Sequence, residues 1–372
     1  MGEFLTDNIK TQEYFLNMGP QHPATHGVLR LLLRLDGEIV ENAELDLGFV
    51  HRSIEKMCER LTYQQIIHLT DRLDYLSSHM NNEAVALLVE KALGIEVSDR
   101  VKVIRTMMSE LTRFASHALW YGVIAMDIGA ITPFMYGFRE RELINDIMEE
   151  TCGARLTMNY NIVGGVRYDL HPHFQKKVKE FIKHARKKLP EYDKVLSNNI
   201  IFKKRLVGIG SISKEDAVLY GLSGPTARGS GVSCDVRKVH PYSAYDRVQF
   251  NEITFDEGDS YARYRVRIRE MWESLSILEQ LVDNIPEGDF RVKTKAVLKL
   301  PQGSYYQKVE SARGEFGVHI VSTGDKWPYR VKFRSPNFAN LSALNEMARG
   351  NKIADLVAVL SSIDIVVPDI DR

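Results

Sequence analysis

Apolar residues that recur every three or four positions predict a largely helical centre for this chain. The clearest stripe consists of Val101, Ile104, Met108, Leu111, Ala115, Ala118 and Gly122, and Ser98 before it is a typical helix N-cap. The same kind of spacing predicts helices over residues 53–72, 81–93, 98–127, 133–151, 173–197, 260–285 and 352–360. We expect the second of these to begin at Asn81 or Asn82. The helix over 173–197 has a Lys-rich face, which is either solvated or in contact with a partner subunit.

Apolar runs bounded by turn residues predict strands towards both ends of the chain. Residues 28–35 read VLRLLLRL, and Asp36-Gly37 is a typical hairpin turn before a second strand. Residues 305–334 contain the runs GVHIV and YRVKF on either side of a Ser-Thr-Gly-Asp turn. Residues 200–250 are rich in Gly, Ser and Tyr and predict a long, irregular loop of the kind that often carries function.

No repeat or low-complexity linker divides the chain. The order of the elements therefore predicts an α+β fold, with a central helical bundle and small peripheral β-sheets. We expect a single interwoven domain over residues 1–372. Its parts would be an N-terminal β-hairpin (17–45), a helical core (53–285) and a β-rich C-terminal part (300–372).

One apolar stretch, residues 118–138, is long enough to cross a bilayer and contains a single charge, Asp127. Gly129 and the pair Thr132-Pro133 interrupt it. That pair is typical of a helix N-cap followed by proline at the first helical position. The stretch therefore predicts two buried helices joined at residues 128–132 rather than a membrane span.

Charge and cysteine content narrow the class of protein. The 372 residues include 49 Lys and Arg against 49 Asp and Glu, so net charge gives no reason to expect nucleic acid or an anionic membrane surface as a partner. The three cysteines, Cys58, Cys152 and Cys234, form no CxxC pair and predict neither a disulfide framework nor a self-contained iron–sulfur or zinc site. The first ten residues, MGEFLTDNIK, lack the apolar core of a signal peptide, and we expect a reducing, cytoplasmic compartment.

The most distinctive polar feature is the segment of residues 19–27, GPQHPATHG, called here the histidine turn. It places His22 and His26 four positions apart, between two prolines and two flanking glycines that favour one fixed shape. Histidine titrates nearest to neutral pH, so a histidine held in this way can donate a proton to a reduced product. A surface turn with two solvated histidines is an equally good interpretation of the turn alone.

Asp127 is a second candidate, because it lies at the apolar end of a predicted helix. A carboxylate there loses hydration, which raises its pKa unless a partner favours the ionised form. Buried acids of this kind are enriched at functional sites. The alternative is that Asp127 caps backbone amides near Gly129.

Ten motifs, in order along the chain, together resemble one family. They are GPQHPATHGVLRL (19–31), HRSIEK (51–56), DRLDYL (71–76), MDIGAITPF (126–134), FRERE (138–142), GGV (164–166), RGSG (228–231), DVRK (235–238), ESARGE (310–315) and DIDR (369–372). The chain resembles the 49-kDa (D-type) subunit of respiratory complex I from about residue 17 to its last residue. The resemblance implies a peripheral-arm subunit of a proton-translocating NADH-quinone oxidoreductase, inactive alone.

That family is related to the large subunit of nickel–iron hydrogenases, so the resemblance also implies a hydrogenase large-subunit-like fold. Hydrogenase activity is the sharpest alternative function. It requires cysteine thiolates to hold the metals. The regions that look equivalent here, DRLDYL (71–76) and DIVVPD (364–369), contain no cysteine, so nickel binding is rejected on ligand chemistry. A structural scaffold without catalytic residues is the third function class.

By resemblance, Tyr75 and His26 are the two proton donors to the quinone carbonyls, and Asp127 orients His26 through a hydrogen bond. Without the family match, Tyr75 would be taken for a core tyrosine with a satisfied hydroxyl. His22 is assigned to the same quinone-binding turn. His51 and Arg52 resemble the pair that approaches the terminal [4Fe–4S] cluster of the adjacent subunit.

Thr157 departs from the family pattern, because many members have histidine there, beside the cluster. Losing an imidazole lowers the cluster potential and removes its pH dependence, and we expect a low-potential quinone, menaquinone, as the substrate.

The resemblance also implies partners and a place in the cell. The partners are the cluster-bearing B-type subunit, the C-type subunit, the H-type membrane subunit and the quinone itself, with no nucleic acid. Electrons arrive from the cluster-bearing partner, so this chain binds no redox cofactor of its own. Its place is the cytoplasmic face of the cell membrane, as a peripheral protein. The sequence leaves the electron donor open between NADH, ferredoxin and F420H2.

Overall fold

Helices form about half of the structure, a computed structural model that describes residues 13–372; the MGEFLTDNIK segment lies outside the described residues. The α-helices are α1 (Ile54–Cys58), α2 (Tyr63–Thr70), α3 (Ser78–Leu93), α4 (Asp99–Asp127), α5 (Ile131–Cys152), α6 (Phe174–Tyr192), α7 (Ile200–Leu206), α8 (Lys214–Leu219), α9 (Gly224–Arg228), α10 (Val236–Val239), α11 (Ser260–Val282), α12 (Pro336–Ser342), α13 (Leu344–Ala348), α14 (Ile353–Ile363) and α15 (Val367–Ile370). A π-helical turn, Asp193–Ser197, extends α6.

The strands form small antiparallel sheets. They are β1 (Glu13–Met18), β2 (Gln21–His22), β3 (Gly27–Val28), β4 (Arg30–Asp36), β5 (Ile39–Asp46), β6 (Asn161–Ile162), β7 (Gly165–Val166), β8 (Gly303–Ser311), β9 (Gly314–Ser322) and β10 (Arg330–Arg334). Two sheets have three strands each, in the orders β1-β4-β5 and β10-β9-β8, and β2-β3 and β6-β7 are short pairs. The predicted α+β class is confirmed.

The first sheet and the helical bundle have separate apolar cores. Leu31, Leu33 and Leu35 of β4 are fully buried against α13 and α14, which cover one face of the sheet. The larger core lies among α3, α4, α5, α6 and α11. Burial of alternate residues fixes the register of β4, because a shift by one residue would turn its leucines towards solvent.

The long helices α4 and α5 pack closely because small residues line their contact. A Cβ atom on Gly137 would lie 2.2 Å from the carbonyl oxygen of Ala118, so only glycine permits this approach. Two helices are present as predicted, but they are joined over residues 128–130 instead of 128–132, and the joint is not buried, since Ile131 is 65% exposed. No helix within residues 13–372 has the length and apolar character needed to cross a bilayer.

Some predicted boundaries were wrong. The helix predicted over 53–72 is two helices, because Thr62 starts α2 with a capping box to Gln65. Helix α3 begins at Ser78 instead of Asn81 or Asn82, and both asparagines are buried within it. Helix α5 begins at Ile131, which places Pro133 inside its first turn, where a helix does not use the backbone N–H.

The segment 200–250 was predicted as one irregular loop, but it contains the four short helices α7 to α10. Buried ion pairs hold it against the bundle. Arg228 Nη2 lies 2.6 Å from Glu270 Oε1 of α11, and Arg228 Nη1 lies 2.8 Å from Glu310 Oε1 of β8. Burial alone would raise the pKa of Glu270, but Arg228 lowers it overall. A prediction from apolar spacing misses buried charged residues, because charged side chains are usually exposed.

Candidate functional site

The histidine turn has one defined shape because its own side chains close it. A 3-10 turn at Pro23–Thr25 joins β2 to β3, and His22 Nδ1 accepts a hydrogen bond from the backbone N–H of Ala24 at 3.2 Å. His26 ends the turn in the left-handed region, with φ of 54°. A Cβ atom on Gly27 would lie 2.7 Å from Val367 Cγ2, so glycine lets the turn pack against α15.

This shape directs His26 at the end of α4. His26 Nε2 lies 2.7 Å from Asp127 Oδ2, and the two side chains are 14% and 10% exposed. The predicted hydrogen bond is therefore present. Asp127 makes no hydrogen bond to a backbone amide of the described residues, so the capping alternative near Gly129 is wrong.

Tyr75 lies in the turn between α2 and α3 and is 38% exposed. Its hydroxyl has no hydrogen-bond partner among residues 13–372, which excludes the core tyrosine with a satisfied hydroxyl. Burial raises the pKa of Tyr75, and the positive charge of Arg313 opposes that rise. The hydroxyl is thus protonated at neutral pH and free to bind an external acceptor.

A buried cluster of ion pairs holds Asp74, the residue before Tyr75. Arg313 Nη1 donates to Asp74 Oδ2 at 3.1 Å, and Arg313 Nη2 donates to Asp364 Oδ1 at 2.9 Å. Burial alone would lower the pKa of Arg313, but the two carboxylates raise it. Since Asp74 immediately precedes Tyr75, the cluster fixes the backbone that carries the phenol.

The segment from Asp364 to Asp371 connects the parts of the site. Asp371 accepts hydrogen bonds from the backbone N–H groups of Gly48 and Val50, and its own carbonyl oxygen lies 2.6 Å from His51 Nδ1. Arg52 Nη2 donates to the carbonyl oxygen of Pro368 at 3.2 Å. The same segment holds Arg313 through Asp364 and contacts the histidine turn through Val367.

A chain of hydrogen bonds runs from Arg52 towards Thr157. Arg52 Nη2 donates to the carbonyl oxygen of Arg72 at 2.7 Å, and Arg72 Nη1 donates to that of His68 at 2.6 Å. The ring of His68 is hydrogen-bonded to the side chain of Asn159. Thr157 and Asn159 both have positive φ, of 51° and 44°, an uncommon conformation for residues with a side chain.

The structure thus brings His26 to Asp127 and joins His51 and Arg52 to the segment from Asp364 to Asp371. Among the described residues, the side chains of Tyr75 and Thr157 make no hydrogen bond to His26, Asp127, His51 or Arg52. The functional roles predicted for these six residues stay predictions. Sequence reasoning missed Arg313, Asp74, Asp364 and Arg72 as supporting residues, although each lies in or beside a motif. His68 lies outside the ten motifs, so no sequence pattern singles it out.

Two further buried acids lie in the same motifs. Burial raises the pKa of Asp71 to about 7, and burial with the nearby Asp74 raises that of Asp369 to about 6. Neither carboxylate oxygen of Asp71 makes a well-formed hydrogen bond. Asp71 is therefore a group whose charge changes near neutral pH.

Apolar side chains are exposed around the junction of α4 and α5. Met126 is 44% exposed, Ile131 65% and Met135 60%, and Asp127 lies between the first two in sequence. Large apolar side chains grouped in this way are typical of a binding surface. The carboxylate that bonds His26 is therefore placed beside a surface suited to an apolar ligand.

The thiols are poorly suited to metal binding, which requires thiolates. Burial raises the pKa of Cys58 to about 12 and that of Cys152 well above its usual value. No three His, Cys, Asp or Glu side chains within residues 13–372 are grouped as ligands for a metal ion.

Comparison with known proteins gives consistent matches. The family described as respiratory-chain NADH dehydrogenase, 49 Kd subunit, matches residues 127–372. The chain is 55% identical to the C/D subunit of the NADH-quinone oxidoreductase of Bacteroides thetaiotaomicron, over 97% of this chain and 68% of that protein. It is 46% identical to the D subunit of the NADH-quinone oxidoreductase of Bacillus cereus, over 98% of this chain and the whole of that protein.

Proposed function

Since the chain belongs to the 49-kDa subunit family of respiratory-chain NADH dehydrogenases, we propose that it forms the quinone-reduction chamber of a proton-translocating NADH-quinone oxidoreductase. The observation that carries this proposal is the hydrogen bond between His26 and Asp127 beside exposed Met126 and Ile131. A quinone has a polar headgroup and an apolar tail. An oriented imidazole next to an apolar surface fits both parts.

Reduction of a quinone to a quinol takes up two electrons and two protons. His26 and Tyr75 each donate one proton to a carbonyl oxygen of the headgroup, and both are later reprotonated from solvent. The free hydroxyl of Tyr75 is available for this role, since it bonds to no described residue. Asp127 fixes the ring orientation of His26 through its hydrogen bond to Nε2. His22 shapes the turn, because its Nδ1 is bound to the backbone of Ala24.

The electrons come from a [4Fe–4S] cluster in the neighbouring B-type subunit, and this chain holds no redox cofactor of its own. Arg52 and His51 face that cluster, and the positive charge of Arg52 stabilises its reduced form. With Thr157 in place of an imidazole, the cluster keeps a low potential, which suits menaquinone as the acceptor. The C-type subunit and the H-type membrane subunit are the other partners. The complex places the chain on the cytoplasmic face of the membrane as a peripheral protein.

The test is His26→Ala in the assembled complex. Quinone reduction by NADH should fall by about 100-fold, a typical contribution of one acid–base group, while electron transfer to an artificial acceptor upstream of the quinone is retained. If the variant complex is intact and reduces quinone at the normal rate, the scaffold interpretation is correct instead. Nickel in the purified protein would favour the hydrogenase alternative, which the raised thiol pKa values oppose.

A further inference from the structure

A second surface carries positively charged side chains that have no carboxylate within 4 Å among residues 13–372. It is centred on residues 291–299, RVKTKAVLK, called here the basic segment. Its charged side chains are Arg291, Lys293, Lys295 and Lys299, all exposed. The segment has no regular secondary structure beyond one bridge to Gly165.

Two cavities of about 650 Å³ each flank the basic segment and share Val292, Lys293 and Thr294. The first is also lined by His68, Asn159, Arg167 and Arg291. None of its lining residues is acidic. The second adds Leu93, Ile95 and Val297, with Glu96 as its single acid. Together they form one groove with cationic and apolar walls.

The positive charge of the groove is unusual for this chain, which has equal numbers of acidic and basic residues. Most surface cations here have a carboxylate within 4 Å; Arg155, for example, contacts three. Neither Arg167 nor any cation of the basic segment is paired in this way within residues 13–372. A concave surface lined by one sign of charge attracts ligands of the opposite sign.

The groove is held in a fixed shape. The N–H of Val292 donates to the carbonyl oxygen of Gly164 at 2.8 Å, and Gln64 Nε2 donates to that of Lys295 at 3.2 Å. A Cβ atom on Gly165 would lie 2.3 Å from the carbonyl oxygen of Phe290. The two glycines of the GGV motif therefore allow the backbone of the basic segment to pack closely against them, which fixes the course of the chain that carries the cations.

We propose that this groove binds an extended, acidic stretch of a neighbouring protein subunit, with carboxylates on Arg167, Arg291 and Lys293 and apolar side chains against Val292 and Val297. The inference rests on the proposed function, because it assumes assembly with other subunits. The first cavity includes Asn159, two residues from Thr157, so the docked stretch lies beside the loop predicted to face the cluster. Neither lining contains Phe, Tyr or Trp, and His68 is the single ring that could stack on a base, which disfavours single-stranded nucleic acid.

Zero-length cross-linking of the assembled complex with a carbodiimide tests this directly, because the reagent joins a lysine to a carboxylate in contact with it. We expect Lys293 or Lys295 to be linked to an Asp or Glu of another subunit. The double variant K293R/K295R keeps the charge and should lose those links while still assembling. Links to carboxylates of this chain alone, or no links, would overturn the proposal.

A second measurement uses charge removal. In the triple variant R167Q/R291Q/K293Q, the salt concentration at which a neighbouring subunit is released should fall by about twofold or more, since fewer ion pairs are left to screen. The control K204Q/K214Q/R269Q removes three exposed cations elsewhere that are unpaired within the described chain, and it should assemble normally. Equal behaviour of both variants contradicts the proposal.

Binding of the intact complex to phosphatidylglycerol vesicles separates a lipid from a protein ligand. Loss of vesicle binding by the triple variant with unchanged subunit retention would assign the groove to lipid headgroups and overturn the proposal. Failure of the proposed function would give a different result. His26→Ala would then reduce quinone at the normal rate in complexes whose subunits remain associated.

Discussion

His26 and Asp127 are 101 positions apart in the sequence, yet their side chains meet at 2.7 Å. His26 ends the turn between β2 and β3, and Asp127 is the last residue of α4, the longest helix. Backbone geometry on both sides sets this contact, through the left-handed conformation of His26 and the end of α4 before Gly129. The pair therefore reports on the docking of the sheet against the bundle as well as on chemistry.

We predict that Asp127→Asn slows quinone reduction by about tenfold or more, because an amide can donate as well as accept and so no longer selects the tautomer and orientation of the His26 ring. The measurement is NADH-dependent quinone reduction by the assembled complex over a range of pH.

Asp99→Asn is the matched control for that experiment. Asp99 lies at the other end of α4 in an exposed pair with Arg247, at 2.6 Å. It should leave both the rate and its pH profile unchanged. Equal loss in the two variants would show that the effect comes from the helix and not from the imidazole.

Tyr75→Phe should lower quinone turnover by at least about tenfold with little effect on stability, because the lost hydroxyl bonds to no described residue. Tyr168→Phe is the control, since Tyr168 is 55% exposed and its hydroxyl is also without a described partner. Turnover and thermal unfolding are measured together. Normal turnover by the Tyr75 variant would remove the phenol from the proposed chemistry.

Arg313→Gln should destabilise the protein by about 3–5 kcal/mol, because it leaves Asp74 and Asp364 buried without their counter-charge. Arg155→Gln, at an exposed group of carboxylates, should destabilise the protein far less, because solvent screens exposed ion pairs. Chemical denaturation of the purified chain measures both. A small effect at Arg313 would mean that water or another group compensates the two carboxylates.

Asp71→Asn should stabilise the protein above pH 7 and have little effect near pH 4. The folded pKa is about 7, against 3.8 as the ordinary value. Between these values the folded chain keeps a proton that the unfolded chain has lost, so stability falls as the pH rises through this window. At pH 8 the variant should gain on the order of 4 kcal/mol relative to its effect near pH 4. Thermal unfolding at pH 5 and 8 checks the difference, and an equal gain at both pH values would contradict it.

Patterns of apolar residues predicted the bundle and the sheets because burial determines both. The stripe from Val101 to Gly122 is buried as expected, and Ser98 is the N-cap of α4. Boundaries failed where side-chain hydrogen bonds outweighed apolar spacing, as at Thr62 and in α3. Within 200–250, α9 and α10 were missed because buried ion pairs such as Arg228 with Glu270 hold them, and charged residues are expected to be exposed when only the sequence is known.

Within the site, the sequence identified the residues that carry distinctive chemistry and missed those that support them. His26, Asp127 and Tyr75 could be singled out from their motifs. The roles of Arg313 and Asp364 depend on contacts between distant parts of the chain, which no local pattern encodes. The motifs around these residues can be recognised in the sequence, but the contacts that explain them can be seen only in the folded chain.

The segment from Asp364 to Asp371 couples the stability of several parts of the site. It contacts the histidine turn through Val367, Arg313 through Asp364 and the ring of His51 through the carbonyl oxygen of Asp371. Local opening of this one segment would therefore break a contact of each of them at once. In hydrogen exchange, the amides of Gly48 and Val50 should therefore exchange at the same rate as those of the segment that binds them.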